Sequence, residues 1–345
     1  MSIKSLYHRA RYTFRSSVVI LMYHRIGHVE QDPFELNVSE ENFAQQLAVI
    51  KKIASSMTVG GVTEQILHNQ WQHRSVIITF DDGYADNLLL AKPILESYNI
   101  PATIFVTSDF IDKKNECWSD SLEQLFFSGY TFPLALKLTL AGKSYSWDFS
   151  GQVAEKPSSL NFRWTVFENS NPSIFHSIFM EIFHLLRDLS TSDKECCISQ
   201  IRSQLGVEEI LRPTCQFLTT EQLIHLAESD LIEIGGHSKT HEVLSTLALE
   251  KQESEIIESK RYIEQVINKP INSFCFPYGS KNDYSIETLS LLKKAGYQSS
   301  CAGSQGTIRR NLNENSQSLF ELPRYRVGNW GGEQFENLLR WWFIR

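Results

Sequence analysis

Positive charge is in short supply: 33 Lys and Arg stand against 40 Asp and Glu, a formal net charge of -7. The chain therefore lacks the global basic field that binding to nucleic acid or another polyanion draws on. Cysteine is sparse as well. Cys117, Cys196, Cys197, Cys215, Cys275 and Cys301 have neither zinc-ribbon spacing nor the density of a disulfide scaffold, and they read as reduced thiols. No apolar run approaches the roughly 20 residues that a membrane span needs. The one apolar run near the start, residues 18–23, is short and passes straight into Tyr23-His24-Arg25 with no small-residue cleavage site, so a cytoplasmic location is expected. Internal repeats and low-complexity tracts are also missing. What is present is a length of 345 residues with 42% hydrophobic and 12% aromatic content, enough for a sizeable core in one large or two medium domains.

Residues 1–16 form a basic leader in which Lys4, Arg9, Arg11 and Arg15 interleave with Leu6, Tyr7, Tyr12 and Phe14. It reads either as a basic amphipathic helix at a membrane surface or as a solvated segment that packs its aromatics on the body. From Ser17 to the end, strands alternate with helices. The run 18–23 is continuously apolar, as a parallel strand buried on both faces is. Ser39 can cap a helix with Phe43, Leu47 and Ile50 on one side. Residues 76–80 form the next strand, residues 85–98 a helix that Pro93 kinks or restarts, and residues 102–107 another strand. Regularity breaks between about 113 and 213, where a hairpin (135–149) and an apolar helix (174–189) are expected; this stretch reads as an insertion. Alternation resumes with a helix over 220–228, a strand over 231–235, a long charged helix over 250–267, and strands at 271–276 and 298–302. Parallel strands need crossover helices, so the order predicts an α/β sheet or barrel.

Three strand ends carry chemistry. Thr79-Phe80-Asp81-Asp82-Gly83 places two carboxylates where α/β folds bind ligands; one carboxylate suits a cation and the other a bound water, while an Asp-Asp-Gly turn with a helix cap accounts for the same residues. Gly235-Gly236-His237-Ser238-Lys239-Thr240-His241 spaces two imidazoles as i and i+4, which predicts one side of a helical turn. Two His with one Asp leave coordination positions open, as a catalytic metal site does. Phe276-Pro277-Tyr278-Gly279 is a turn that can aim the Tyr278 N–H into a pocket.

In this order the motifs resemble the polysaccharide deacetylases, whose shared unit is the NodB homology domain of carbohydrate esterase family 4. The resemblance spans about 17 to 327. It implies a distorted (β/α)7-type barrel, a divalent ion on Asp82, His237 and His241, and Asp81 as general base. Zinc comes first for the ion, ahead of cobalt, nickel and manganese. Two departures stand out. Many members carry an Arg in the third motif, where this chain has Phe274-Cys275-Phe276, and a late Leu-x-Leu-His motif whose His is the acid, which this chain lacks. The chain resembles a rearranged branch with the acid on the first strand, here His24. Arg324, with Arg326 second, is the candidate to pair with Asp81.

The resemblance implies metal-assisted removal of N-acetyl groups from an amino sugar in a glycan or glycan precursor. With a cytoplasmic location, the expected substrate is a sugar nucleotide or a lipid-linked precursor of surface polysaccharide. A catalytically inactive carbohydrate-binding protein of the same fold is the alternative. The C-terminal segment from Phe335 to Arg345 pairs aromatics with Arg, which fits either peripheral contact with the inner membrane face or packing on the barrel. Trp118, near the start of the insertion, is a candidate wall of the sugar groove.

Overall fold

The computed structural model describes residues 16–140, 142–149, 164–310 and 319–345, so nearly all of the basic leader lies outside the described residues. The described residues fall into two compact units. One takes in the chain up to Gly27, Asn37–Asp112 and Phe217–Arg345; the other takes in His28–Leu36 and Lys113–Gln216.

The first unit is a curled, mostly parallel sheet with staves β1 (Ser17–Tyr23), β2 (Arg74–Phe80), β3 (Ala102–Val106), β4 (Ile232–Gly236), β5 (Ser273–Cys275), β6 (Ser299–Cys301) and β7 (Tyr325–Arg326). Each is parallel to its neighbour from β1 through to β6. Residues 322–326 bring the sheet back on itself: Leu322 bridges Cys301, and Tyr325 and Arg326 pair with Leu21 and Met22 of β1. This is the distorted α/β barrel that the alternation of elements predicts.

The staves are apolar on both faces because both faces are covered. Val18, Ile20, Ile77, Phe105, Cys275, Cys301 and Leu322 share one cluster. Val19, Leu21, Val76, Ile78, Ile104 and Phe274 join a second with Phe43, Leu47 and Ile50 of the helix Glu40–Ile53 and Ile256 and Ile263 of the helix Leu249–Ile267. Ser39 caps the first of these helices by accepting from the Asn42 N–H. Gly235 on β4 has a steric reason: a Cβ there would stand 2.6 Å from Phe105 Cδ1 and 2.9 Å from the Ser273 carbonyl. The break expected at Pro93 appears as a π-helical turn, Asn87–Ala91, feeding the α-helix Lys92–Tyr98. Pro93 has no N–H to give, so the i→i−4 ladder has to change register there.

The C-terminal helix Gly332–Trp342 buries Phe335, Leu339 and Trp342, the last stacked on Tyr325 at 4.6 Å, while Trp341 and Ile344 stay exposed. Among the described residues no helix is long and apolar enough to cross a membrane.

The second unit has its own aromatic core, with Phe126, Phe149 and Phe179 fully buried. Helices Trp118–Phe127, Ile174–Arg187 and Thr191–Leu205 pack with the hairpin Ala135–Leu140 and Lys143–Asp148. Sequence periodicity shows the second helix and the hairpin, but Thr191–Leu205 is largely polar and shows little. Trp118 stacks on Phe183 at 5.1 Å with the Lys194 ammonium 5.5 Å from its ring, so its faces are engaged within the unit.

Candidate active site

The chemistry-bearing residues follow the carboxyl ends of parallel staves. His24 follows β1, Asp81 and Asp82 follow β2, His237 follows β4, and Phe276, Pro277 and Tyr278 follow β5. Asp82 adopts a left-handed backbone (φ 76°), as does Gly83 (φ 84°), so the chain turns sharply as it leaves the strand.

Asp82, His237 and His241 each offer one ligand atom, and all three atoms lie within 4.8 Å of one another. Asp82 Oδ1 is buried without a hydrogen bond, 3.4 Å from His237 Nε2 and 3.3 Å from His241 Nε2. These gaps are long for N–H···O bonds and leave a buried carboxylate oxygen without a well-formed partner, with all three groups facing a common centre. That arrangement fits a divalent ion. His237 Nδ1 lies 2.8 Å from the Cys275 carbonyl, and donation to it leaves the Nε2 lone pair facing that centre. Burial alone pushes the Asp82 carboxyl up, but the His237 and His241 imidazoles outweigh it and hold it well below the usual carboxylate range.

Asp81 sits beside this group with a different set of partners. Arg324 Nη1 donates to Oδ1 at 2.7 Å and Nη2 to Oδ2 at 2.8 Å, a two-pronged contact between groups that are both almost fully buried. Arg324 Nη1 also donates to Thr79 Oγ1 at 3.1 Å, and its Nε to the Ala302 carbonyl at 3.1 Å. Burial raises the Asp81 carboxyl, yet the Arg324 charge, then His237, brings the net direction below the ordinary value. Asp81 is therefore held ionised. Arg326, the second candidate, pairs with Met22 in the sheet, and no contact between it and Asp81 is found among the described residues.

His24 Nε2 lies 3.9 Å from Asp81 Oδ2, and its side chain is 14% exposed. Burial lowers its pKa; Asp81 and Asp82 oppose this without cancelling it. Tyr278 is left-handed (φ 61°) and sets its ring 5.0 Å from that of His241. Gly279 after it (φ 75°) must lack a Cβ, which would fall 2.6 Å from the Gly303 nitrogen.

The model of the polysaccharide deacetylase family matches residues 68–132 and 197–300. In those two segments the chain carries a polysaccharide deacetylase domain. A curated Bacillus subtilis (strain 168) protein, "Putative polysaccharide deacetylase YxkH", is 30% identical over 110 residues, 32% of this chain and 36% of that protein. The chain thus matches little more than a third of that relative's length. Among solved structures, the Streptococcus pyogenes deacetylase PplD in complex with acetate superposes with a TM-score of 0.57 at 17% identity, covering 94% of this chain and 98% of that one. A de-N-acetylase from Aggregatibacter actinomycetemcomitans gives 0.56 at 13% identity, covering 94% and 99%. At these identities the likeness speaks for the fold, the barrel of NodB-type deacetylases. His24 and Arg324 lie outside the matched segments, and they reach Asp81 from the two ends of the chain.

One local expectation needs correcting. His237 and His241 do not share a helical turn: the segment after β4 is an open bend in which Ser238 and His241 both have φ 62°. A spacing of four fits a helix, but a loop with two left-handed residues brings the same two rings together. Sequence reasoning also missed Cys275 and Thr79 as contacts of the Arg324–Asp81 pair. Arg324 Nη2 is 2.9 Å from Cys275 Sγ, and burial pushes that thiol's pKa well up. Strand alternation could have placed Thr79 on the same side as Asp81.

Proposed function

We propose that this chain hydrolyses N-acetyl groups on an amino sugar of a glycan or glycan precursor, using a divalent ion, zinc first, at Asp82, His237 and His241. The observation that carries the reading is the convergence of these three ligands, with Asp82 Oδ1 unsatisfied, beside an Asp81 held ionised by Arg324. An ion there supplies Lewis acidity toward the acetyl carbonyl and an acidified water.

The chain's own groups do the rest. Asp81 accepts the proton of the attacking water, and Arg324 keeps it aimed and charged. The Tyr278 N–H is the donor for the developing oxyanion. His24 gives the leaving nitrogen its proton, so the C–N bond breaks to acetate and a free amine. Because burial depresses the His24 pKa, its charged form is a strong acid, recharged within reach of Asp81. The substrate we favour is a cytoplasmic-face precursor of surface polysaccharide, sugar-nucleotide or lipid-linked. Exposed Trp341 and Ile344, with Arg345 4.9 Å from the Trp341 ring, support a peripheral contact with the membrane.

Purified protein is expected to hold a divalent ion and to release amine from N-acetylated sugars, with activity lost to a chelator and regained on adding zinc or cobalt. Metal-loaded protein that frees no amine from any such sugar would overturn the reading. His24→Ala is expected to slow amide hydrolysis by about 10²–10⁴-fold. It should slow an acetate ester with a phenolate leaving group far less, since that group departs without a proton. Equal losses on both substrates would remove His24 from the acid role.

A further inference from the structure

The loop that carries both histidines has neither helix nor strand to satisfy its backbone, so each polar group has to find a partner elsewhere. The His237 N–H donates to the Val106 carbonyl at 2.9 Å, and its own carbonyl accepts from Thr107 Oγ1 at 3.2 Å. The Ser238 carbonyl accepts from the Ser108 N–H at 3.2 Å and from Ser259 Oγ at 2.8 Å; the Lys239 carbonyl accepts from the Asp109 N–H at 2.9 Å. The Lys239 and Thr240 N–H groups both donate to Glu255 Oε2, at 3.0 and 2.8 Å, and Thr240 Oγ1 donates to Oε1 at 3.0 Å. The His241 N–H closes the loop on Ser238 Oγ at 3.0 Å.

Glu255 and Ser259 stand four apart on the helix Leu249–Ile267, hence on one face, and both are completely buried. A buried carboxylate is costly unless donors surround it; here the hydrogen bonds come from Lys239 and Thr240, between the two ligands, and the Lys251 ammonium stands 3.9 Å from Oε1. Ser238 and His241 are held in left-handed conformations that non-glycine residues avoid, so the surroundings must impose them. We infer that Glu255, assisted by Ser259, is a positioning residue of the metal centre: by gripping the backbone between His237 and His241 it sets the spacing of the two imidazoles. This rests on the metal reading above, and it assigns a task to a helix that contributes no ligand.

The test is a cobalt(II) titration of the metal-free full-length protein, read by the visible ligand-field absorption, well below the unfolding temperature of each variant. Glu255→Ala is expected to bind cobalt about 10–100-fold more weakly, with an altered absorption band. Glu255→Gln should recover most of the affinity, because an amide oxygen at the Oε2 position still accepts both N–H groups. Ser259→Ala should show a smaller loss in the same direction, and it carries the test if Glu255→Ala does not fold. Gln252→Ala is the control. Its side chain is buried on the same helix but bonds the Leu247 carbonyl and Thr288, so it should lower stability without moving the cobalt affinity. Wild-type affinity in Glu255→Ala, an equal loss in Gln252→Ala, or a Glu255→Gln protein no better than Glu255→Ala would each overturn the inference. If cobalt fails to bind the wild type, the metal centre itself falls. If cobalt binds the wild type, is lost in Asp82→Ala and is unchanged in Glu255→Ala, the clamp alone falls.

Discussion

Asp81→Asn is expected to keep its metal and lose turnover by about 10²–10⁴-fold, the usual worth of a positioned general base. The substitution preserves size and one acceptor oxygen while removing the charge that draws a proton from water. The ligands Asp82, His237 and His241 are untouched, so metal content should stay at the wild-type level. Because Arg324 then lacks a full counter-charge, rates must be normalised to folded protein, measured by near-ultraviolet circular dichroism. A metal-replete, folded Asp81→Asn enzyme within tenfold of the wild-type rate would show that the proton goes elsewhere, and the base assignment would fail.

The largest effect on stability is expected from Arg324→Met. In the native protein the guanidinium and the Asp81 carboxylate are 2% and 4% exposed and joined by two short hydrogen bonds. Removing one partner strands a buried charge, which typically costs about 3–5 kcal/mol. Urea unfolding at neutral pH measures this directly. The pH dependence carries a sign of its own. In the wild type the folded Asp81 pKa lies below its unfolded value, so the contribution of Asp81 is complete above the unfolded value and is lost as pH falls through the folded one. Without Arg324, burial dominates and pushes the carboxyl up. The acidic limb of the activity profile should therefore move to higher pH. The double variant Asp81→Asn with Arg324→Met should regain part of the lost stability, since neither charge is then left buried alone. A double variant less stable than either single one would refute the charge argument and leave only packing.

How much of this site can be read from the chain depends on how far apart its parts lie along it. Asp81 and Asp82 are adjacent, and His237 and His241 are four apart, so each pair is visible as a local pattern behind an apolar strand. The barrel is visible for a related reason: staves covered on both faces must be apolar throughout, and crossover helices must separate them. Arg324 is another matter. Its contact with Asp81 spans 243 positions, and composition or periodicity around residue 324 holds no sign of which carboxylate it meets; only the absence of the arginine that many family members carry in the third motif suggested it.

The distinction is sharpest at the two histidines. Sequence by itself determined that they belong to one site, since a short loop at a strand end cannot carry them far apart. Their geometry was decided by tertiary structure. A helical turn and an open bend both accept a spacing of four, and the choice was made by Glu255, Ser259, Ser108 and Asp109, which supply the hydrogen bonds that a helix would have provided from within. Backbone groups that find their partners inside one segment leave a readable period. Those that find them on distant elements leave none.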